Sequence, residues 1–162
     1  ALADALTIVS HKKWDLPKVV LSWAPHPRAL PQAVSNSFVR MMKKMPVELI
    51  ITHPEGYELD PAQVGDYNPV YDQVSALENA DFIYVKNWSS FREYGKVLTQ
   101  DPAWMITDRK LAGARFMHCL PVRRNVVVED AVLDGKNSLV LEQAANRTHA
   151  AQLALLHMLQ AL

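Results

Sequence analysis

RFMHCLPVRR, residues 115–124, runs from an apolar segment of strand length straight into a proline and paired arginines. Four other stretches share this build. VVLSW (19–23) leads into APHPR, ELIIT (48–52) into HPEGYE, FIYV (82–85) into KNWSS, and SLVLE (138–142) into QAANR. None of the apolar runs alternates cleanly, a pattern that suits strands of a parallel sheet covered on both faces. Helical spacing fills the intervals. Leu2, Ala5, Leu6 and Val9 fall at i, i+3, i+4 and i+7 and predict a helix over 1–14, closed by Lys12 and Lys13 before Pro17. Val34, Phe38, Met41, Met42 and Met45 share a face over 31–45, and Val74 and Leu77 mark a shorter helix. Residues 103–112 predict another helix, and Leu155, Met158, Leu159 and Leu162 a last one over 146–162. The alternation predicts a doubly wound α/β fold with a mainly parallel five-stranded sheet, residues 1–162 forming one domain.

The composition supports a real core and little else. At 162 residues, 49% of them apolar, the chain can bury roughly two-thirds of the surface its unfolded form exposes. Seventeen basic and seventeen acidic residues cancel, so net charge gives no reason to expect a nucleic-acid or membrane partner. One cysteine excludes an internal disulfide, and no Cys or His pair stands at a zinc-ligand spacing. The N-terminal stretch carries Asp4 early and lacks a basic-then-apolar signal layout, and no apolar run approaches the ~20 residues that span a bilayer. The expectation is a cytoplasmic protein without metal or cofactor.

Ligands of open α/β sheets bind beyond the carboxyl ends of the strands, where loops and helix N-termini converge. All five polar tails would collect there. The glycines stand far apart, without a G-x-G or P-loop pattern, so an anion would be held by cationic side chains: His26, Arg28, Lys86, Arg123, Arg124 and Arg147. A small anionic substrate follows. Cys119 has two readings, a nucleophile needing a base or an electropositive setting, and a small packed hydrophobe at a strand end. His118 reads as structural or as a hydrogen-bond donor, the Leu120–Pro121 bond as a candidate for the cis form, and Trp88 and Trp104 as packing rather than platforms.

Taken together, these motifs resemble the transcarbamylases, and among them the N-acylornithine transcarbamylases of arginine biosynthesis. HCLPVRRN (118–125), QAANR (143–147) and ALADALTI (1–8) look like family signatures. SWAPHPRALPQAV (22–34), THPEGYELDP (52–61) and DFIYVKNW (81–88) look closest to the N-succinylornithine type. The resemblance implies that Cys119 and Leu120 form the catalytic edge contacting carbamoyl phosphate, that Arg147 adds a cationic contact to it, and that His26, Lys86 and Arg123 hold the N-acylornithine. Ordinary ornithine enzymes of the family have an aspartate at the position of Lys86, suited to a free α-ammonium group. Acylation removes that charge and leaves a carboxylate, to which lysine is complementary. Acetyl-specific members usually have a lysine where this chain has Val127, which favours N-succinylornithine.

The resemblance also implies what else belongs to the assembly. Family members carry an N-terminal carbamoyl-phosphate domain with an S-x-R-T-like loop and an H-P-x-Q motif, neither of which is in this chain. The expectation is a C-terminal, ornithine-binding half, inactive alone, whose helices 1–14 and 146–162 would join or brace the two domains and could self-associate. Complete enzymes of the family are homotrimers with shared active sites. A trefoil knot is expected, with Trp23 to Ala33 as a collar and Lys86 to Ser90 threaded through it, placing His26 beside Lys86. Arg124 is open to a structural ion pair instead, and SSFREYGKV (89–97) looks shorter than the family norm. The alternatives are an ordinary ornithine enzyme and a non-catalytic knotted module.

Overall fold

A computed structural model describes residues 1–161. The elements follow in the order α1 (Leu2–His11), β1 (Lys18–Trp23), α2 (Ala33–Met42), β2 (Glu48–Thr52), α3 (Pro61–Val64), α4 (Gln73–Leu77) and β3 (Phe82–Lys86). A 3₁₀ turn (Pro102–Trp104), α5 (Asp108–Leu111), β4 (Arg115–Met117), α6 (Asp130–Leu133) and α7 (Val140–Gln160) complete the chain. The four strands are parallel in the order β2-β1-β3-β4. Side chains alternate across them, and each face of the sheet builds its own core. Val19, Leu21, Trp23, Phe82 and Tyr84 pack with Ile8, Phe38 and Met42, whereas Val20, Ile83, Val85 and Phe116 pack with Leu77, Leu111 and Val132. The doubly wound α/β fold is therefore as expected.

The fifth strand is not formed, and four strands stand where five are expected. Phe116 bonds the Asn137 carbonyl and accepts from Leu139, both at 2.9 Å, so the 138–142 run touches β4 through Ser138 alone. The chain then turns into α7. Leu139, Val140 and Gln143 are buried and Leu141 is 78% exposed, a helical rather than a two-residue pattern. The helix predicted over 103–112 is likewise interrupted. Ile106 pairs in extended form with Val128, and α5 starts afresh with the Thr107 side chain accepting from the Lys110 N–H.

The first helix is present but rotated from its expected face: Ala5 and Ile8 are buried and Val9 is 55% exposed. Its contacts with α7 are polar. Asp4 accepts from Gln143 (2.6 Å), Thr7 from Asn146 (2.9 Å), and His11 meets Glu142 (2.8 Å). Beyond Ala150 every described residue of α7 is exposed, including Leu153, Leu155, Leu156, Met158 and Leu159. Leu162, assigned by its spacing to this helix, lies outside the described residues. No helix among the described residues is long and apolar enough to cross a membrane.

Candidate functional site at the carboxyl edge of the sheet

The parallel register brings Trp23, Thr52, Lys86 and Met117 to one edge, so the loops after all four strands meet there. The segment after β3 is the most enclosed: Asn87, Trp88, Ser89 and Ser90 are all buried. The loop after β1 wraps it, with Ala24 N–H donating to the Lys86 carbonyl (3.2 Å), Asn87 to the Ala24 carbonyl (2.8 Å) and Ser89 N–H to the Leu30 carbonyl (2.8 Å). Gln32 ties three segments together. Its amide nitrogen donates to the carbonyls of Ser89 (2.8 Å) and Glu58 (3.0 Å), and its oxygen accepts from Asp60 N–H (3.0 Å). Trp88 is fully buried and donates to the Tyr57 carbonyl (2.8 Å), and Trp104 packs edge-on against Trp23, so both serve packing.

The loop after β4 is shaped by its histidine. His118 is buried, and its Nδ1 accepts from Leu120 N–H at 2.9 Å, so of the two readings offered by sequence, structural or donor, its ring takes a structural one, as an acceptor in this turn. Its own N–H donates to the Gln143 side chain (3.0 Å), which takes it out of the sheet ladder and ends β4 at Met117, short of the strand expected to Cys119. Leu120 has φ 51°, and the Leu120–Pro121 bond is cis. Burial, and after it the positive charge of Lys86, hold the His118 imidazole down at about 3, so the ring is neutral at working pH.

The candidate residues fall into two groups. Cys119 and Arg147 line one cavity of about 410 Å3, together with Asp4, Ser37 and Tyr84. His26 and Arg123, 97 residues apart in sequence, meet directly: Arg123 Nε donates to His26 Nε2 at 3.0 Å, and His26 Nδ1 bonds the Arg28 carbonyl at 2.9 Å. Lys86 ends β3 on the same face as Tyr84, close enough to His118 for its charge to be felt. His26 is held by Arg123, not by Lys86. The Leu120 side chain turns away into a separate hollow of about 730 Å3 with Pro121, Val122 and Leu133, so only its backbone stays on the cysteine side of the turn. Arg124 forms a pair with Asp130 and a two-pronged one with Asp134, all at 2.7 Å, which is the structural ion pair the sequence left open. Val127 is buried in the second core and brings nothing to the site.

Gln143, Asp4 and Tyr84 were not singled out by sequence. Gln143 is almost wholly buried and ties the cysteine loop to Asp4 of α1, one turn before Arg147. The one available signal was an aspartate on the small-residue face of α1. No group of three His, Cys, Asp or Glu side chains suited to a metal occurs among the described residues.

Comparison with known proteins gives the chain a family. Residues 31–159 match the model of the aspartate/ornithine carbamoyltransferase Asp/Orn binding domain. The chain is 50% identical to an N-succinylornithine carbamoyltransferase of Bacteroides fragilis, over 99% of this chain and 52% of that protein. It is 32% identical to an N-acetylornithine carbamoyltransferase of Xanthomonas axonopodis, over 91% of this chain and 50% of that protein. A crystal structure of a mutant N-acetyl-L-ornithine transcarbamylase complexed with carbamyl phosphate and N-succinyl-L-norvaline superposes with a TM-score of 0.79 at 32% identity, covering 91% of this chain and 52% of the other. The chain thus spans about half the length of the relatives it matches, and that half corresponds to one domain. It belongs to the aspartate/ornithine carbamoyltransferase family, as the Asp/Orn binding domain.

Proposed function

We propose that this chain is the acylornithine-binding half of an N-acylornithine carbamoyltransferase of arginine biosynthesis, acting in the cytoplasm with N-succinylornithine as the preferred acceptor. The observation that carries the reading is the grouping at one sheet edge: Cys119 and Arg147 on a shared cavity, Lys86 at the end of β3 near His118, and His26 joined to Arg123. The 50% identity to an N-succinylornithine enzyme supports the choice of acyl group.

In this reading the neutral δ-amine of the acylornithine attacks the carbonyl carbon of carbamoyl phosphate. The tetrahedral intermediate collapses with loss of phosphate, and no bond to the protein forms. The chain contributes positioning and charge. Cys119 and the Leu120 backbone contact the carbamoyl group, Arg147 faces its developing oxyanion, and Lys86, Arg123 and His26 hold the acylornithine carboxylates. Neutral His118 keeps the turn under Cys119 in shape without adding a competing charge. The carbamoyl-phosphate half of the enzyme would pack against α1 and the exposed apolar residues of α7, with trimers formed by the complete protein. The wrapping of residues 86–90 by the loop after β1 supports the expected trefoil knot.

The test is ureido-product formation from carbamoyl phosphate with N-succinylornithine, N-acetylornithine or ornithine. The chain is mixed with the carbamoyl-phosphate domain of a relative, and the chain alone is the control. Product from N-succinylornithine in the mixture alone is expected. Lys86→Asp should lower acylornithine use at least ~100-fold, the loss of a charge-assisted contact and its replacement by like charge. Unchanged use of N-succinylornithine by that variant would sink the charge argument, and associated halves without product would sink the function.

A further inference from the structure

Phe116 of β4 and His118 just beyond it stand two residues apart, so their N–H groups point to the same outer side of the sheet. The chain that passes there answers them differently. Phe116 N–H donates to the Asn137 carbonyl and its own carbonyl accepts from Leu139 N–H, both at 2.9 Å, as a neighbouring strand would arrange them. One step on, α7 has begun, and the acceptor for His118 N–H is the side-chain oxygen of Gln143 at 3.0 Å. The amide replaces the next rung of a ladder whose strand has turned into a helix.

That rung sits between the two residues assigned to the carbamoyl group. His118 runs directly into Cys119, and Gln143 stands four residues before Arg147, one turn away on the same face of α7. Cys119 and Arg147 line one cavity, so a single side chain, 2% exposed, joins the backbone entering one wall to the helical turn carrying the other. The turn of α7 is itself held in rotation. Gln143 donates to Asp4 (2.6 Å) and Asn146 to Thr7 (2.9 Å), both on α1. The bond from Leu120 N–H to His118 Nδ1 is local, shaping the cysteine turn without fixing it to α7.

We infer that Gln143 is a positioning residue for carbamoyl transfer, setting the separation between the Cys119 turn and Arg147 across the cavity. The inference rests on the proposed function, in which those two residues contact carbamoyl phosphate. The residues assigned to the acylornithine are secured elsewhere: Lys86 on β3, and Arg123 by His26 and by its carbonyl, which accepts from Val127 N–H at 3.0 Å. Gln143 therefore governs the placement of one substrate and leaves the other alone.

The experiment exchanges the ends of the bond between Gln143 and Asp4. Gln143→Glu keeps an oxygen for His118 N–H but sets a second carboxylate against Asp4; adding Asp4→Asn supplies a donor again. Each chain is mixed with the carbamoyl-phosphate domain of a relative. The single variant is expected to raise KM for carbamoyl phosphate about 10-fold, with kcat/KM down about 10- to 100-fold, the scale of a misplacement of about 1 Å. KM for N-succinylornithine should stay within about twofold, and the double variant should recover carbamoyl phosphate use to within about fivefold of wild type. A merely structural role would lower the amount of folded enzyme and leave both KM values in place. A loss confined to kcat, an equal rise in both KM values, or a double variant no better than the single would overturn the inference. The chain alone gives an independent reading: the backbone amide resonances of Cys119 and Leu120 should be displaced by Gln143→Glu and return in the double variant, and unmoved signals would overturn the inference. Should the single variant not fold, the double decides, wild-type amide positions supporting the exchange and a displaced turn overturning it. A wild-type mixture without product counts against the proposed function, while the resonances still decide whether Gln143 places the turn.

Discussion

Replacing Gln143 with leucine tests how the site is held. The side chain is 2% exposed and spans two otherwise separate parts of the chain, accepting from His118 N–H at 3.0 Å and donating to Asp4 at 2.6 Å. Leucine has similar bulk, so little cavity forms and the cost comes from the partners left behind. Losing a bond to a carboxylate costs about 1.5–3 kcal/mol, and an orphaned buried N–H about 1–3 kcal/mol. The sum is about 2.5–6 kcal/mol, a large share of the stability of a domain of this size. Urea unfolding followed by far-UV circular dichroism reads it as a shift in midpoint at constant slope. Asp4→Leu combined with Gln143→Leu should recover part of the loss, because an apolar pair strands fewer polar groups than the single change does. A single-variant cost below about 1 kcal/mol, or strict additivity in the double, would refute the bridge as the tie between α1, α7 and the cysteine loop.

Trp88→Phe removes the indole donor to the Tyr57 carbonyl and leaves a gap in a fully buried position, so a loss of about 2–3 kcal/mol is expected from the same denaturation assay. A near-neutral result would mean that the segment after β3 is not clamped as described. Stability should also fall on mild acidification. Burial holds both His53 and His118 below the usual imidazole range, the latter at about 3. The unfolded chain takes up protons near pH 6.5 that these folded rings refuse, so stability is complete above about pH 6.5 and declines below it by up to about 1.4 kcal/mol per pH unit for each ring. Urea titrations at pH 7 and 5 should differ by about 2–4 kcal/mol; equal stabilities would show that the imidazoles are not confined as the packing implies.

Most of the candidate edge was legible because parallel strands all point one way. Once the apolar runs are read as parallel, APHPR, KNWSS and LPVRR must gather at the same end, whatever the side-chain details. The fifth run failed because composition does not separate a short buried strand from the entry to a helix, and Leu139, Val140 and Gln143 are buried at helical spacing. The first helix was placed correctly but its face was not, since apolar spacing is blind to an interface made by Asp4, Thr7 and His11. Leu120 and Cys119 are neighbours in sequence, but the turn sends their side chains to different hollows. The pairing of His26 with Arg123 depends on two loops folding over the same edge, which no local pattern encodes.

The polar seam between α1 and α7 sets an order on assembly during synthesis. Asp4 waits for Gln143, 139 residues later, as does Thr7 for Asn146. At about 5–20 residues per second that interval is about 7–28 s. Throughout it Asp4 and Thr7 lack their partners on α7, while β1, β2 and β3 emerge and can already pair. Within this domain α1 is therefore among the last elements to settle, and a nascent chain stopped before Gln143 would display it to chaperones and proteases.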